Sequence, residues 1–297
     1  MVTYRLMGIV NVTPDSFSDG GLFLDSGAAI AHGLELVEQG AHILDIGGES
    51  TRPGAEPVGV EEELRRVVPV IEGLAVATAS MPAPPRLSID TSKAAVARAA
   101  LAAGATLVND VTALRADPEM ASVVAGGGAD CCLMHMLGEP RTMQRDPRYG
   151  DVVDDVRAFL EERLSFAVGE GIDERRLLLD PGIGFGKSVA HNLELLRRLE
   201  EIVALGRPVV VGTSRKSFLG VVLPTKRAAP RARVRQADSR HTAEAVERLP
   251  GTIVTNVLAL ERGASVFRVH DVAPVAAALA VAAATLSPTW TATGTTS

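Results

Sequence analysis

The alternation of hydrophobic and polar positions divides the chain into short and long segments. The short ones are runs of four to six residues typical of β-strands; in order they read MGIVNV, HILDIG, RLSID, TLVND, CCLMHM, LLLD, PVVVG and VFRVHD. The long segments repeat their apolar residues with helical spacing; examples lie at 28–39, 60–77, 92–102, 151–168 and 190–199. About eight strand–helix units result, the number that closes a (β/α)8 barrel.

The strands are nearly continuous hydrophobic runs, as expected of parallel strands that are buried on both faces. The number of units favours the closed barrel over an open, doubly wound sheet, which is the alternative. We therefore predict an α/β fold with one TIM-barrel domain over residues 1–287. Residues 223–240 hold six Lys/Arg, two Pro and one acidic residue, which predicts an exposed basic insertion. Residues 288–297 are rich in Thr and are expected to form a frayed tail.

Polar residues gather where the predicted strands end. In a (β/α)8 barrel the carboxyl ends of all strands face the same mouth, so residues far apart in sequence converge on one pocket. The strand-end residues are Asn11, Asp15, the run at 47–53, Asp90, Asn109, Asp110, His135, Asp180, Ser214, Arg215, Lys216, Arg268 and His270.

Composition argues against several classes of protein. The 297 residues carry a formal charge of −6 and only 3% aromatic residues, so a nucleic-acid-binding protein is not expected. The two cysteines, Cys131 and Cys132, are adjacent and cannot form a disulfide framework, which favours the reducing cytoplasm. No apolar run approaches the roughly 20 residues of a bilayer span. The first hydrophobic run breaks at Asn11 without a cleavage-type sequence, so we expect neither a membrane anchor nor a signal peptide.

Two strand-exit segments predict loops that contact a ligand. The first, NVTPDSFSDGG at 11–21, is long for a strand–helix connection and contains Phe17, which favours a lid over a plain turn-rich loop. The second, GGESTRP at 47–53, combines two glycines with Arg52, whose guanidinium suits phosphate oxygens. An ordinary solvated arginine is the commoner alternative for Arg52 alone.

Arg268 and His270 occur two residues apart in the last predicted strand. Alternate strand residues point to the same side, so the two side chains can project together. The exits of strands seven and eight are the common phosphate site of this fold. The pair therefore predicts an anion site, with a salt-bridged arginine and a capping histidine as the alternative.

Two carboxylates, Asp90 and Asp180, each end a leucine-containing strand, where an unpaired buried charge is costly. With Asn109 and Lys216 they would suit a neutral ring, because a carboxylate accepts two parallel N–H bonds from a guanidine-like edge. Asp180 could instead simply begin a turn, and Lys216 could be a Schiff-base lysine.

The glycine-rich segment GIGFGK at 182–187 has neither the GxGxxG nor the GxxxxGK[ST] spacing, which argues against a mononucleotide loop. It predicts a tight loop that places Phe185 against a ligand. Cys131 and Cys132 are expected to be inert core residues, and no His/Cys cluster has zinc spacing.

These motifs together resemble the dihydropteroate synthase family, the folate-pathway enzymes that sulfonamides inhibit. The matching segments follow the family's order from Met7 to Val272; they are MGIVNVTPDSFSDGG, DIGGESTRPGA, SIDTSK, LVNDV, CLMHM, LLLDPGIGFGK, SRKSFLG, ERLPGT and FRVHDV. The resemblance implies an eight-stranded barrel, a homodimer and a Mg²⁺-dependent transferase. The implied reaction joins 6-hydroxymethyl-7,8-dihydropterin pyrophosphate to p-aminobenzoate, giving 7,8-dihydropteroate and pyrophosphate.

The resemblance also implies a role for each matching residue. Those that would bind the pterin are Asp90, Asn109, Met134, Asp180, Phe185, Lys216 and Arg268. Those that would bind p-aminobenzoate are Phe17, Ser18, Thr51, Arg52, Pro53 and Ser217. Those that would hold the pyrophosphate are Asn11, Thr51, Arg52, Arg268 and His270, and Asn11 is the implied Mg²⁺ ligand. The implied catalytic set is Asn11, Asp90, Lys216, Arg268 and His270.

The implied chemistry agrees with these residue types. Pyrophosphate leaves readily once Mg²⁺, Arg268 and His270 take up its charge, and the methylene cation that remains is conjugated with the pterin ring. Asp90 would stabilise that cation. The arylamine is neutral at pH 7 and needs no strong base, so catalysis would consist mainly of positioning and charge stabilisation.

The chain departs from the family pattern at one place. Residues 221–246 intervene between SRKSFLG and ERLPGT, which bears on the usual dimer surface and not on the pocket. A corrinoid-dependent methyltransferase barrel is a competing interpretation, although it does not need the TRP, SRKS and RVHD motifs together. A non-catalytic pterin-binding paralogue is a third, and the intact Asn11, Arg52, Lys216, Arg268 and His270 argue against it.

Overall fold

The computed structural model describes residues 3–13, 26–50, 56–139, 141–223 and 248–287. Within these ranges eight parallel strands alternate with helices. The strands are β1 (Arg5–Asn11), β2 (Ile43–Gly47), β3 (Arg86–Asp90), β4 (Leu107–Asp110), β5 (Asp130–Met134), β6 (Leu177–Asp180), β7 (Val210–Val211) and β8 (Val266–Val269). The α-helices are α1 (Ser26–Glu38), α2 (Val60–Thr78), α3 (Ala94–Ala102), α4 (Met120–Gly127), α5 (Val152–Gly169), α6 (Val189–Arg197), α7 (Leu199–Val203), α8 (Ser217–Val222), α9 (Leu249–Glu261) and α10 (Val272–Leu286).

The sheet closes on itself. Its hydrogen-bonded order is β6-β5-β4-β3-β2-β1-β8-β7, and all of these pairs are parallel. The two ends meet because the Leu179 N–H donates to the carbonyl of Pro208 at 3.0 Å and Leu179 bridges to Val209. The predicted TIM barrel is therefore confirmed, and the open doubly wound sheet is excluded.

The predicted elements agree with the structure to within a few residues. Each of the eight predicted strand segments overlaps an observed strand, and the helices predicted at 28–39, 60–77, 92–102 and 151–168 correspond to α1, α2, α3 and α5. The helix predicted at 190–199 is broken at Arg198, whose φ of −111° and ψ of 28° separate α6 from α7. Apart from Leu223, the predicted insertion lies outside the described residues, and so does the predicted tail.

Side-chain caps fix where two of the helices begin. The Asp151 carboxylate accepts hydrogen bonds from the Val153 and Asp154 N–H groups at the start of α5, at 2.9 and 3.1 Å. Ser188 and His191 form a reciprocal capping box at the start of α6. The α6 cap matters for the site because it follows directly after the GIGFGK segment.

A layer of apolar side chains fills the barrel interior. It takes one residue from each of seven strands: Met7, Ile43, Leu107, Cys132, Leu178, Val210 and Val266. A second, larger cluster lies between the strands and the helices. Cys131 belongs to that outer cluster and Cys132 to the inner layer, so the two thiols are buried on opposite faces of β5, as predicted. In the described ranges no helix is long and apolar enough to cross a bilayer.

Candidate active site

Strand alternation places a polar layer directly above the apolar layer. A residue two positions after an inner-layer residue points to the same side of its strand, nearer the carboxyl end. The successive pairs are Ile43 and Asp45, Leu107 and Asn109, Cys132 and Met134, Leu178 and Asp180, and Val266 and Arg268. The carboxyl-end mouth of the barrel is thus lined by buried polar side chains, as expected of an active site in this fold.

Arg268 occupies the centre of one half of this layer. Its Nε donates to Asp45 Oδ2 and its Nη2 donates to Asp90 Oδ2, both at 2.6 Å. Burial raises the pKa of Asp90 to about 7, with Arg268 opposing the rise and Asp45 adding to it. Although burial opposes the charge of Arg268, the two carboxylates raise its pKa above the ordinary value. The three side chains form one charge-coupled unit.

Asp45 is a site residue that the sequence analysis missed. It is fully buried, and its carboxylate also accepts hydrogen bonds from Ser88 Oγ at 2.6 Å and Asn109 Nδ2 at 3.0 Å. The signal lay in the strand HILDIG, where an acidic residue stands between Leu44 and Ile46. A carboxylate inside a buried strand needs partners, so Asp45 could have been predicted to face the polar layer.

Asp180 and Lys216 form the opposite half of the polar layer. The Gly182 N–H donates to Asp180 Oδ1 at 2.7 Å, and Lys216 Nζ donates to the carbonyl of Ile183. Burial raises the pKa of Asp180, with Lys216 opposing. Burial lowers the pKa of Lys216 to about 8, with Asp180 opposing. Asp180 and Lys216 are therefore a buried pair of opposite charge, each opposing the effect of burial on the other.

An aromatic and sulfur-rich wall adjoins Lys216. The Lys216 ammonium lies 4.6 Å from the centre of the Phe185 ring. Phe185 packs against a cluster of Val111, Met134, Met136 and Met143. Met134 and Phe185, which were each predicted to contact the pterin, thus lie on one wall, and the wall suits the face of a planar ring.

Hydrogen bonds connect the segment after β8 to the segment after β7. His270 Nδ1 lies 3.0 Å from Ser214 Oγ, which also accepts a hydrogen bond from the His270 N–H at 3.1 Å. Arg215 and Asp271 form a bidentate pair, with Arg215 Nε 2.9 Å from Asp271 Oδ2. Arg215 has a φ of +58°, a left-handed conformation that is strained for a non-glycine residue. These contacts fix the backbone on either side of Lys216 and His270.

Asn11 is half-buried at the end of β1, and Ser217 is exposed at the start of α8. Among the described residues no group of three or more His, Cys, Asp or Glu side chains could hold a metal ion. Isolated oxygen ligands such as the Asn11 carbonyl nevertheless fit Mg²⁺, which usually keeps several waters and binds substrate phosphates. The predicted ligand residues Phe17, Ser18, Thr51, Arg52 and Pro53 lie outside the described residues.

The arrangement suits a flat, polar heterocycle bearing an anionic group. Carboxylates on two sides can accept N–H bonds from its edge, and the wall of Phe185 and Met134 can cover its face. Arg268 lies in β8 and His270 directly follows the strand, toward the mouth, where a phosphate group would extend. No single residue defines the site; the combination of edge, face and anion contacts does.

Comparison with known proteins shows similarity to enzymes that bind a heterocycle of this kind. The family model described as "Pterin binding enzyme" matches residues 7–270. The dihydropteroate synthase of Synechocystis is 44% identical over 271 residues, which cover 91% of this chain and 86% of that protein. The Xanthomonas albilineans dihydropteroate synthase, solved with 4-aminobenzoic acid, is 48% identical with a TM-score of 0.80 and covers 96% of this chain and 94% of that one. The same enzyme solved with 7,8-dihydropteroate is 46% identical with a TM-score of 0.78 and covers 96% and 95%.

Proposed function

The chain belongs to the dihydropteroate synthase family of pterin binding enzymes, and from this membership we propose how its residues divide the work of the reaction. The reaction is a transfer that joins 6-hydroxymethyl-7,8-dihydropterin pyrophosphate to p-aminobenzoate and gives 7,8-dihydropteroate and pyrophosphate. The observation that carries the assignment of roles is the polar layer, with Asp45, Asp90 and Arg268 on one side and Asp180 and Lys216 on the other.

The pterin ring lies across the polar layer. Asp180 accepts N–H bonds from the amino-pyrimidine edge, because its second oxygen is not used by the Gly182 N–H. Asn109 and Lys216 contact other polar atoms of the ring, and Phe185 and Met134 cover a face. The site thereby matches the ring's donors and acceptors one by one, which is how a buried polar site distinguishes a heterocycle from its analogues.

Bond breaking and bond making are both assisted by charge. The C–O bond between the pterin methylene and pyrophosphate breaks, and its electron pair stays on the pyrophosphate oxygen. The nitrogen lone pair of p-aminobenzoate then forms the C–N bond, and the nitrogen loses one proton to solvent. Asp90, with Asp45 behind it, stabilises the positive charge that develops on the methylene and ring.

Arg268 and His270 stabilise the departing pyrophosphate. Arg268 keeps some exposure while bonded to two carboxylates, so its remaining N–H groups can face an anion. His270 is oriented by Ser214 through both its ring and its backbone N–H. Asn11 would hold Mg²⁺ together with the pyrophosphate oxygens, and that ion would supply further positive charge to the leaving group.

The arylamine binds next to the pterin methylene, beside Ser217. Ser217 is exposed and directly follows Lys216, so a carboxylate bound there would lie near the mouth and leave the amine directed inward. Phe17, Ser18, Thr51, Arg52 and Pro53 complete this subsite, and Thr51 and Arg52 also reach the pyrophosphate. A Yersinia pestis relative, 41% identical with a TM-score of 0.82, is described with a sulfonamide drug. Sulfonamides are arylamine analogues, and this subsite is where they would compete.

The protein acts in the cytoplasm as a homodimer. Buried, unpaired Cys131 and Cys132 suit a reducing compartment. The adjacent helices α9 and α10 carry exposed apolar side chains, among them Val254 and Val281, that a second copy would cover.

Release of pyrophosphate tests the function most directly. Mixing the purified protein with both substrates and Mg²⁺ should release one pyrophosphate for each dihydropteroate formed, and omission of p-aminobenzoate should suppress the turnover. Pterin binding without turnover would indicate a non-catalytic binder. Methyl transfer to a corrinoid without pyrophosphate release would support the methyltransferase alternative. Either result would overturn the assignment.

A further inference from the structure

Lys187 is a buried lysine with no part in the reaction described above. It is only 2% exposed, and its Nζ lies 2.9 Å from His135 Nδ1 and 3.1 Å from the carbonyl oxygen of Phe185. The carbonyl of His135 is a third, longer partner at 3.4 Å. Burial lowers the pKa of Lys187 well below its ordinary value, with Asp180 opposing and Lys216 adding to the drop. A polar group buried so completely is costly unless it has partners, and all three partners here come from two loops of the barrel mouth.

These contacts join the exit of β5 to the loop of residues 182–186. The backbone of that loop lies against the β5 exit so closely that a Cβ on Gly182 would stand 1.8 Å from the carbonyl oxygen of His135. A Cβ on Gly186 would stand 2.4 Å from the carbonyl oxygen of Leu137. Both glycines have positive φ, so the path of the loop requires them. The glycines thus allow the two backbone segments to approach closely, and Lys187 joins them by hydrogen bonds.

The loop supplies three contacts to the pterin side of the site. The Gly182 N–H bonds to the Asp180 carboxylate, the Ile183 carbonyl accepts from Lys216, and the Phe185 ring faces the Lys216 ammonium. A shift of this loop would therefore move a carboxylate, an ammonium and an aromatic ring together. Misplacement by about 1 Å is enough to lower the efficiency of an active site strongly.

His135 is suited to receive the lysine. Burial, together with Lys187 and Arg115, lowers the pKa of His135 to about 2, so the ring is neutral at working pH. Its ring is held in place by Phe159 and Tyr149, whose ring centres lie 4.8 and 6.0 Å away. A neutral imidazole in a fixed orientation offers Lys187 a hydrogen-bonding nitrogen at a defined point.

We propose that Lys187 is a positioning residue for the pterin slot: by bonding to His135 and to the Phe185 carbonyl, it sets where the 182–186 loop presents Phe185 and the Ile183 carbonyl. The inference rests on the proposed function, since it assigns the slot to a pterin. Lys187 touches no substrate and acts through the loop.

Neutral contacts to the same loop provide matched comparisons. Tyr149 donates its hydroxyl hydrogen to the Gly186 carbonyl at 2.7 Å, and the Gly184 N–H donates to Asn192 Oδ1 at 2.7 Å. Neither contact involves Phe185 or Ile183. Tyr149→Phe therefore removes one hydrogen bond to the loop and leaves the contact between Lys187 and His135 in place.

A double-mutant cycle tests the proposal. Lys187→Met, which keeps an unbranched side chain but removes the amino group, should weaken binding of 6-hydroxymethyl-7,8-dihydropterin about tenfold by calorimetry. In a Phe185→Ala background the same change should weaken binding less than about threefold, because its effect passes through the Phe185 loop. In an Asn109→Ala background, on the opposite wall, the full tenfold effect should persist. Tyr149→Phe should weaken binding less than about threefold.

Kinetics add a second readout. Lys187→Met should raise the KM for the pterin substrate about tenfold and change kcat at saturation less than about threefold, a split that a general loss of stability does not produce. Equal effects of Lys187→Met in the Phe185→Ala and wild-type backgrounds would overturn the proposal. So would unchanged pterin affinity in a folded Lys187→Met protein. If the wild-type protein itself bound no pterin, the proposed function would fail instead.

A second variant covers the case in which Lys187→Met does not fold. His135→Gln leaves the lysine and the Phe185 carbonyl in place and removes the fixed ring nitrogen. The same cycle with Phe185→Ala should again be non-additive. Strict additivity in that cycle would contradict the positioning role.

Discussion

Two carboxylates compensate the positive charge of Arg268 before any ligand binds. Asp45 and Asp90 each hold one edge of its guanidinium at 2.6 Å, so the three groups together carry a net negative charge when both carboxylates are ionised. Such a group favours a developing cation on the pterin methylene more than it favours a free anion. In the proposed reaction the leaving pyrophosphate would therefore draw on groups beyond Arg268, for which we propose His270 and Mg²⁺ held by Asn11.

The role of Asp45 leads to a prediction about stability. Asp45→Asn replaces a carboxylate that accepts from Ser88, Asn109 and Arg268 with an amide that has its own donors. Removing one partner of a buried pair leaves a charge uncompensated, so we expect a loss of about 3 kcal/mol in the free energy of unfolding, measured with urea. Asp271→Asn is the control, because its pair with Arg215 is partly exposed to solvent and should cost at most about 1 kcal/mol. Equal losses in the two variants would contradict the central role of Asp45.

Two titrating groups predict a narrow pH optimum. The pKa of Asp90 is raised to about 7 and that of Lys216 is lowered to about 8. In the proposed mechanism the active free enzyme has Asp90 as a carboxylate and Lys216 as an ammonium. The value of kcat/KM for the pterin should therefore rise as Asp90 loses its proton near pH 7 and fall as Lys216 loses its proton near pH 8.

The Asp90→Asn variant identifies the rising limb. Its kcat/KM should be lower than that of the wild type. The ratio of the wild-type kcat/KM to the variant kcat/KM should still rise near pH 7, because any titration of the substrate affects both proteins equally and cancels in the ratio. A ratio that stays flat from pH 6 to pH 7.5 would show that Asp90 does not titrate there.

At the scale of elements, the turn after β4 has a strained backbone and accepts hydrogen bonds from an arginine that is distant in sequence. Ala113 and Leu114 have φ values of +53° and +63°, which non-glycine residues rarely adopt. Their carbonyl oxygens accept hydrogen bonds from buried Arg163 of α5, at 2.9 and 3.4 Å, and the Leu114 N–H bonds to Asp110 at 2.8 Å. The turn follows β4, which carries Asn109, so Arg163 holds the strained backbone next to a residue of the site.

Arg163→Met should therefore destabilise the protein by about 2–4 kcal/mol, because it leaves two buried carbonyl groups without donors. Arg157→Met on the same helix is the matched control, since Arg157 is exposed and its ion pair with Glu161 is a long one at 3.7 Å; we expect a change below about 0.5 kcal/mol. Thermal unfolding monitored by circular dichroism compares the two. A loss in Arg163→Met no larger than that of the control would remove the arginine from the support of this turn.

The features that could be predicted from the sequence are those that depend on strand periodicity. The barrel follows from eight strand–helix units, and Asp90, Asn109, Asp180 and Arg268 follow from their places at strand ends, because strand geometry alone directs them to one mouth. Asp45 was missed because it lies before the end of its strand. The partners of Lys187 and Arg215 could not be predicted, since each contact joins loops that are far apart in sequence and meet only when the barrel closes.

At the scale of the whole molecule, the exposed apolar residues are unevenly placed. Helices α9 and α10 pack against each other, and Val254 of α9 and Val281 of α10 are 55% and 69% exposed. Leu258 and Leu286 of the same helices are also exposed. Apolar residues repeated on neighbouring helices form a surface that a second copy of the chain can cover, whereas a lone exposed residue does not.

The last prediction tests this surface. Val254→Glu combined with Val281→Glu should convert the proposed dimer to a monomer at micromolar concentration, because two charges per chain would be buried unpaired in the proposed interface. Val76→Glu is the matched control, since Val76 is 79% exposed on α2, which packs between α1 and α3. Sedimentation velocity should show a dimer for the wild type and for Val76→Glu, and a monomer for the double variant. The polar layer lies inside one barrel, so the monomer should still bind pterin. A dimer that persists in the double variant would show that the two copies meet elsewhere.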